Sequence, residues 1–269
     1  MRSSAEAAFN RLADVWDTIL AARDGGEHEC ARELFRAARL LEGTPTLGKA
    51  LTDPARASSD RSRLALDVFG DSVSGPVSDL LSGIARERWG SGSEIIDVIN
   101  RFGVQSVLAG AGRTGILSQV EEELYQARRL LRDQRDLRVA LGDRTHTADE
   151  RAALARSIFT GVGSDSELLL VHAVRMAPKR AITQTLAEMT QAAADRNHRL
   201  LASVTVAVPL TTAQQARLMR LLTERYQGPV NVHVYVDSRV VGGMRIRVGE
   251  DVIDGTLAHR VDQLREAVE

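Results

Sequence analysis

Lysine is almost missing from this chain of 269 residues: Lys49 and Lys179 are the only two, and arginine carries the rest of the positive charge. Neither sign of charge prevails, with 35 basic against 36 acidic side chains, a formal net charge of −1 and a pI near 6.6. A chain so balanced has no field with which to hold a nucleic-acid backbone or an acidic lipid surface. The arginine bias reads as coding preference, not as a binding signal. Cysteine is represented by Cys30 alone, which excludes an internal disulfide and fits a reducing compartment. No apolar run approaches the ~20 residues of a membrane span, and the first residues lack the apolar core of a signal peptide. The expectation is a soluble protein without direct membrane insertion.

Motifs of chemistry are equally scarce. The sequence holds no G-x-S-x-G, Walker A or H-E-x-x-H pattern. The histidines, at 28, 146, 172, 198, 233 and 259, form no H-x-x-x-H pair, and His28-x-Cys30 supplies only two of the ligands a zinc site needs. Gly110-Ala-Gly112-Arg-Thr-Gly115 matches the G-x-G-x-x-G dinucleotide fingerprint. That fingerprint works only between a strand and a helix in an alternating β-α context, whereas Ile95 to Leu108 reads as helix. A flexible link between helices is the better reading, with a dinucleotide-binding enzyme as the remote alternative. Arg128, Arg129 and Arg132 alternate with acids and lack interleaved aromatics, as on a solvated helix face or a protein contact. No catalytic residue, cofactor or metal ligand is expected.

What is present is helical period. Phe9, Leu12, Trp16, Ile19 and Leu20 recur at three- and four-residue spacing behind the capping box Ser3-x-x-Glu6. Ala31, Leu34, Phe35, Ala38 and Leu41 form the next stripe; Pro45 and Pro76 open further helices. Ser59, Thr147-x-x-Glu150, Ser164-x-x-Glu167 and Thr212-x-x-Gln215 are candidate caps. A long helix is expected from about Lys179 to Arg199.

The helical part repeats itself. At an offset of 90, Glu33-Leu34 meets Glu123-Leu124, Phe35 meets Tyr125, Asp53 meets Asp143, Arg61 meets Arg151 and Phe69 meets Phe159, without a gap. Shared leucines arise by chance between amphipathic helices; these pairs in one register favour an internal duplication. The expected organisation is a helical bundle over 1–90, a second copy over 91–200, and a separate domain over 201–269.

The last region changes period. Val204, Val206 and Val208 alternate, as do Val232, Val234 and Val236, and Met244, Ile246 and Val248. Gly242-Gly243 marks a turn requiring positive φ or close backbone approach. Val252-Ile253 is a short return, and Asp254 is a candidate N-cap for a last helix carrying Leu257, Val261, Leu264 and Val268. Those four positions suit either a core face or a coiled-coil seam. The fold class is mostly α, two similar bundles followed by a small α+β domain in the order β-α-β-β-α.

Asp237-Ser-Arg-Val-Val-Gly-Gly243, then Gly249-Glu-Asp-Val-Ile-Asp-Gly255 and an amphipathic helix, with Ala202 to Leu210 upstream, resembles the C-terminal end of the delta subunit of the bacterial F-type ATP synthase, the oligomycin-sensitivity-conferring protein family. The resemblance implies a non-catalytic stator subunit without cofactor. It implies two partners: the N-terminal helix of an ATP synthase alpha subunit, held in a groove between two helices, and the C-terminus of the peripheral-stalk b subunit, held by the C-terminal domain. It implies a peripheral location at the cytoplasmic face of the bacterial plasma membrane. By order of domains, the alpha groove falls on the second copy, with Ile95, Ile99 and Phe102 on one helix and Leu168 and Val171 on another. The stalk contact or structural motif falls on Asp237, Gly242, Gly243, Asp254, Gly255, Leu257, Val261 and Leu264. The duplicated bundle departs from the family pattern of a single helical domain. A helical adaptor unrelated to ATP synthase is the other reading.

Overall fold

The computed structural model describes residues 3–23, 25–178, 180–197, 200–226, 230–237, 240–248 and 251–257. Its contacts divide the chain into two compact units, Met1–Trp16 with Gly25–Ala194, and Asp17–Asp24 with Asp195–Glu269. The expected boundary between residues 90 and 91 falls inside the first unit, and the expected start of the last domain lies just inside the second.

The first unit is helical, built from α1 (Ser3–Ala21), α2 (Glu27–Gly43), α3 (Pro45–Thr52), α4 (Ser58–Phe69), α5 (Gly75–Arg86), α6 (Gly92–Arg113), α7 (Leu117–Asp133), α8 (Arg135–Gly142), α9 (Ala148–Ile158), α10 (Ser164–Met176) and α11 (Ile182–Asn197), with the last residues of α1 and α11 counted in the second unit. The offset of 90 maps α1–α5 onto α6–α10 element by element, and maps α6 in turn onto α11. Thus α6 is both the helix that follows the first copy and the helix that opens the second.

The duplication extends to individual hydrogen bonds. Asp53 accepts from the amide of Ala55 and Asp143 from that of Thr145, each at 2.9 Å. Buried Arg61 donates to the carbonyls of Asp53 and Arg56, and Arg151 to those of Asp143 and His146. Glu33 on α2 accepts from the amide and hydroxyl of Ser74, before α5. Glu123 on α7 accepts from the amide of Gly163, before α10. A carboxylate from another helix thus serves a helix N-terminus that its own N-cap side chain does not serve. The glycines share the pattern too: Gly25 (φ 102°) and Gly115 (φ 75°) both turn the chain between long helices.

Several expected caps fall elsewhere. Thr147 and Glu150 form the expected capping box. Glu6 instead pairs with Arg101 at 2.9 Å, and Glu167 with Arg156 at 2.8 Å. Ala57, not Ser59, precedes α4, and Thr211 with Gln214 makes the box that the sequence suggested for Thr212 and Gln215. Adjacent Ser and Thr residues offer equivalent caps locally, so packing selects the register.

The second unit carries β1 (Leu200–Val206), α12 (Thr212–Tyr226), β2 (Val230–Val236), β3 (Met244–Val248) and β4 (Asp251–Asp254), with strand order β2-β1-β3-β4. β1 and β2 are parallel, and β3 is antiparallel to both β1 and β4. The register places Ala202 opposite Val248, Val204 opposite Ile246 and Val206 opposite Met244. One face is therefore apolar, and Leu218 and Leu222 of α12 join its core. The first strand starts at Leu200, before the expected Val204, and Val208 lies outside it and is exposed, beside the ring-locked Pro209. The short return is strand β4. Residues 258–269, with Val261, Leu264 and Val268 of the expected last helix, lie outside the described residues.

Candidate docking sites

Two places follow from the sequence: the groove between α6 and α10, and the glycine turn of the sheet unit. Ile95, Ile99 and Phe102 on α6 and Val171 on α10 are buried, while Leu168 is partly buried and packs on the core. None of the five is exposed. On α6, Phe102 lies against Phe9 of α1, with ring centroids 4.8 Å apart, and Arg101 covers the Phe9 ring at 3.6 Å. Trp16 donates its indole N–H to the hydroxyl of buried Ser106 at 2.9 Å, a contact between two positions related by the offset of 90.

The chain's own α2 packs along α6 and also touches α10. Its Phe35 ring presses on α6 where Gly103 has no side chain, and stacks on His172 of α10 with centroids 3.7 Å apart and planes 15° from parallel. At the other end of α2, the carboxylate of Glu27 accepts from Arg113 of α6 at 2.6 and 3.1 Å, and His28 Nε2 lies 2.8 Å from Asp165 Oδ1 of α10. Burial raises the affinity of Glu27 for a proton, but Arg113 and a backbone amide outweigh it, so the carboxyl sits below its usual range. Burial, reinforced by Arg39 and Arg175, pushes the pKa of His172 down to about 3, and its Nε2 has no hydrogen-bond partner among the described residues. His172 is therefore a neutral stacking plate.

The residues that seat α2 are where the two copies diverge. Ala31, Phe35 and Ala38 are buried; their counterparts Glu121, Tyr125 and Arg128 on α7 are polar or exposed. The face of α2 is built for burial against α6 and α10, and that of α7 for water. The Phe35/Tyr125 pair was visible in the sequence as a conserved ring, and only the neighbours tell that one is core and the other surface.

In the second unit, Gly242 (φ 66°) and Gly243 (φ 78°) both adopt the left-handed conformation expected of at least one of them. A Cβ on Gly243 would stand 2.3 Å from the carbonyl oxygen of Gly255, and one on Gly242 2.7 Å from Leu257. The two glycine turns therefore touch. The Gly255 amide donates to Met244, and the Leu257 amide to Gly242. Asp254 accepts from the amide and hydroxyl of Thr256, at 3.0 and 2.6 Å, and from Arg245 at 2.8 Å. Those hydrogen bonds hold its carboxyl down to about 2, the Thr256 hydroxyl contributing most. Asp237 donates its amide to Val206, which extends the β1–β2 ladder by one bond. Asp237, Gly242, Gly243, Asp254 and Gly255 thus meet at one end of the sheet as a structural knot; Leu257 is half exposed beside it, and Val261 and Leu264 lie outside the described residues.

The fingerprint glycines are also structural. Gly110 and Gly112 lie in the last turns of α6 and Gly115 in the turn after it; the absent Cβ of Gly110 admits Glu27. Among the described residues no group of three metal-ligating side chains converges, and no helix is long and apolar enough to cross a membrane.

Known proteins are similar to this chain in sequence. The family model described as ATP synthase delta (OSCP) subunit matches residues 104–268. The delta subunit of Beutenbergia cavernae is 35% identical over 266 residues, covering 98% of each chain. That of Salinispora tropica is 34% identical over 268 residues, covering 99% of this chain and 97% of its own. A chain in the cryo-EM structure of the Toxoplasma gondii mitochondrial ATP synthase hexamer, 16% identical, superposes with a TM-score of 0.29 over 61% of this chain and 94% of that one, a likeness too loose to place any contact. Matched by the family model over more than half its length and by delta subunits over nearly all of it, the chain belongs to the ATP synthase delta (OSCP) subunit family.

Proposed function

We propose that this chain is the link between the catalytic head of its ATP synthase and the peripheral stalk, holding the N-terminal helix of an alpha subunit and the C-terminus of the b subunit at the cytoplasmic face of the plasma membrane. As a delta-family subunit it is a non-catalytic part of the stator. Rotor torque would turn the head unless something anchors it, so the task is to bind tightly and carry elastic load. Helix-in-groove contacts suit that task. The observation that carries the reading is the match to delta subunits along nearly the whole chain, both helical copies included.

The helical unit is assigned to the head and the sheet unit to the stalk, with residues 1–90, 91–200 and 201–269 as functional segments. The position of α2 bears on which copy meets the alpha helix. A helix seated on the face of α6 and α10 that α2 covers would have to displace α2 and expose Phe35, whose burial alone is worth about 1.5–3 kcal/mol. It would also strand the Glu27 carboxylate. The alpha helix is accordingly assigned to α1 and α5, the pair that the offset relates to α6 and α10, in place of the second-copy residues Ile95, Ile99, Phe102, Leu168 and Val171.

The test has two parts. The chain should co-isolate with alpha and b subunits, and adding it to membranes stripped of it should restore proton-coupled ATP synthesis. A photo-reactive peptide of the alpha N-terminus should label α1 and α5 of the full chain. Labelling confined to α6 and α10 would return the site to the second copy, and absence of co-isolation would remove the stator reading.

A further inference from the structure

Tyr125, Arg128 and Arg132 recur at intervals of three and four residues, so they share one side of α7. Arg129 flanks them, Arg135 follows at the start of α8, and all five residues are exposed in the free chain. The acids of the same helix are engaged within the chain: Glu122 accepts from Gln126, Glu123 accepts from Gln119 and the Gly163 amide, and Glu121 is not free either. Among the described residues Arg128, Arg129 and Arg135 have no carboxylate partner, and Arg132 reaches its sequence neighbour Asp133 at 3.2 Å. Basic residues in the last turn of a helix offset its dipole. That accounts for Arg132, not for Arg128 and Arg129 a turn earlier. Residues 125–138 hold five arginines against two aspartates, in a chain whose formal net charge is −1. We propose that this stripe docks an acidic helix of a neighbouring subunit of the ATP synthase.

The internal repeat says that the occupant is a helix. At the offset of 90, Ala31, Phe35, Ala38 and Glu42 of α2 correspond to Glu121, Tyr125, Arg128 and Arg132 of α7. In the first copy that side of α2 is covered by helices, with the Phe35 ring against Gly103 of α6 and stacked on His172 of α10. There α2 and α10 run parallel: His28 meets Asp165, and seven residues further along each helix Phe35 meets His172. After α11 the chain passes into the sheet unit and not into a third copy. The same side of α7 is a helix-docking ridge left open, with arginine where its counterpart has alanine and glutamate.

Charge gives the occupant's chemistry. A guanidinium matches a carboxylate through two parallel hydrogen bonds, and tyrosine with arginine is the composition enriched at protein interfaces. From Tyr125 to Arg132 the stripe runs roughly 10 Å at 1.5 Å per residue. A ridge that short, on a chain without net positive charge, does not hold a nucleic-acid backbone or an acidic membrane. If the occupant lies on α7 as α10 lies on α2, a carboxylate seven residues beyond the side chain that covers Tyr125 faces Arg132. The inference rests on membership of the ATP synthase, not on which helices hold the alpha or b subunit.

The test places a photo-reactive benzoylphenylalanine at position 125 of the full chain in the assembled, purified ATP synthase. Its adduct should map to a helical segment of another subunit that carries at least two carboxylates one or two turns apart. Arg128→Glu with Arg132→Glu should lower the adduct yield about tenfold or more, without lowering the melting temperature of the helical unit. Arg128→Lys with Arg132→Lys should lower it less. Changing the labelled acids to lysine should restore the yield with the doubly reversed chain. Adducts in lipid, in a second copy of this chain, or in a segment without clustered acids would overturn the proposal. So would the absence of an adduct, or a yield that charge reversal leaves unchanged. Co-isolation of the reversed chain with the complex separates such a failure from failure of the stator reading.

Discussion

Replacing Gly103 by alanine should loosen the seam between the two helical copies. Its new Cβ would lie 2.3, 2.6 and 2.9 Å from three carbons of the Phe35 ring. The ring cannot retreat freely, because its other face rests on His172 at 3.7 Å and His172 is itself buried. Overpacking of this kind costs about 1–3 kcal/mol, and a contact this short belongs at the upper end. Alanine in a helix interior returns about 1 kcal/mol relative to glycine. The net expectation is a loss of about 1–2 kcal/mol, or a fall of roughly 2–8 °C in the melting temperature of the helical unit. Calorimetry of the full chain at pH 7 measures it, with the two units fitted as separate transitions. Gly142→Ala is the control, since nothing lies within 4 Å of its added Cβ; it should leave stability unchanged or raise it. Phe35→Leu in the Gly103→Ala background should recover part of the loss, with a coupling of about 1 kcal/mol or more. Stability of Gly103→Ala at or above wild type, or strict additivity with Phe35→Leu, would refute the packing argument.

Further outcomes are expected elsewhere. Gly243→Val should destabilise the sheet unit by at least about 1–3 kcal/mol through the left-handed backbone alone, with the Gly255 carbonyl adding a clash; an unchanged melting curve for that unit would contradict it. His172 has a folded pKa of about 3 against an unfolded value of ~6.5. Its stability contribution is whole above pH ~6.5 and is lost by about 1.4 kcal/mol per unit as pH falls below that, and His172→Phe should flatten this slope in denaturant titrations. The Asp254 carboxyl should titrate near pH 2 by NMR, and Thr256→Val should move it up towards ~3.9. A depressed carboxyl stabilises the fold above the unfolded pKa and loses that contribution as pH falls through about 2, so Thr256→Val should narrow the acid-sensitive window. Arg61→Lys should cost about 1–3 kcal/mol, because Arg61 alone serves five carbonyls, including those of Ala85, Arg86 and Glu87 at the end of α5. The compact ammonium cannot span them; wild-type stability in that variant would show the fork to be dispensable.

Periodicity and turn chemistry are local, and what depends on them was legible in the amino-acid order. The offset of 90 was readable from Asp53/Asp143 and Arg61/Arg151 because those residues serve the same carbonyls and amides in both copies. The turn at Gly242-Gly243 was readable because a left-handed backbone restricts residue choice within two or three positions. The string from Asp237 to Gly255 sufficed for the family, since a sheet knot that tight tolerates few alternatives. Tertiary structure decided what distance in sequence conceals. Ile95, Ile99 and Phe102 carry the same stripe whether they line an open groove or a core, and only tertiary neighbours, such as Phe9 of α1 against the Phe102 ring, make them core. Phe35 and Tyr125 are equivalent rings in equivalent helices, yet Gly103 and His172 bury the first, while the second stays in water. The box expected at Ser164 gave way because the chain before α10 took a carboxylate from another helix, the Gly163 amide donating to Glu123 of α7. Burial belongs to pairs of segments, and a single segment does not contain it.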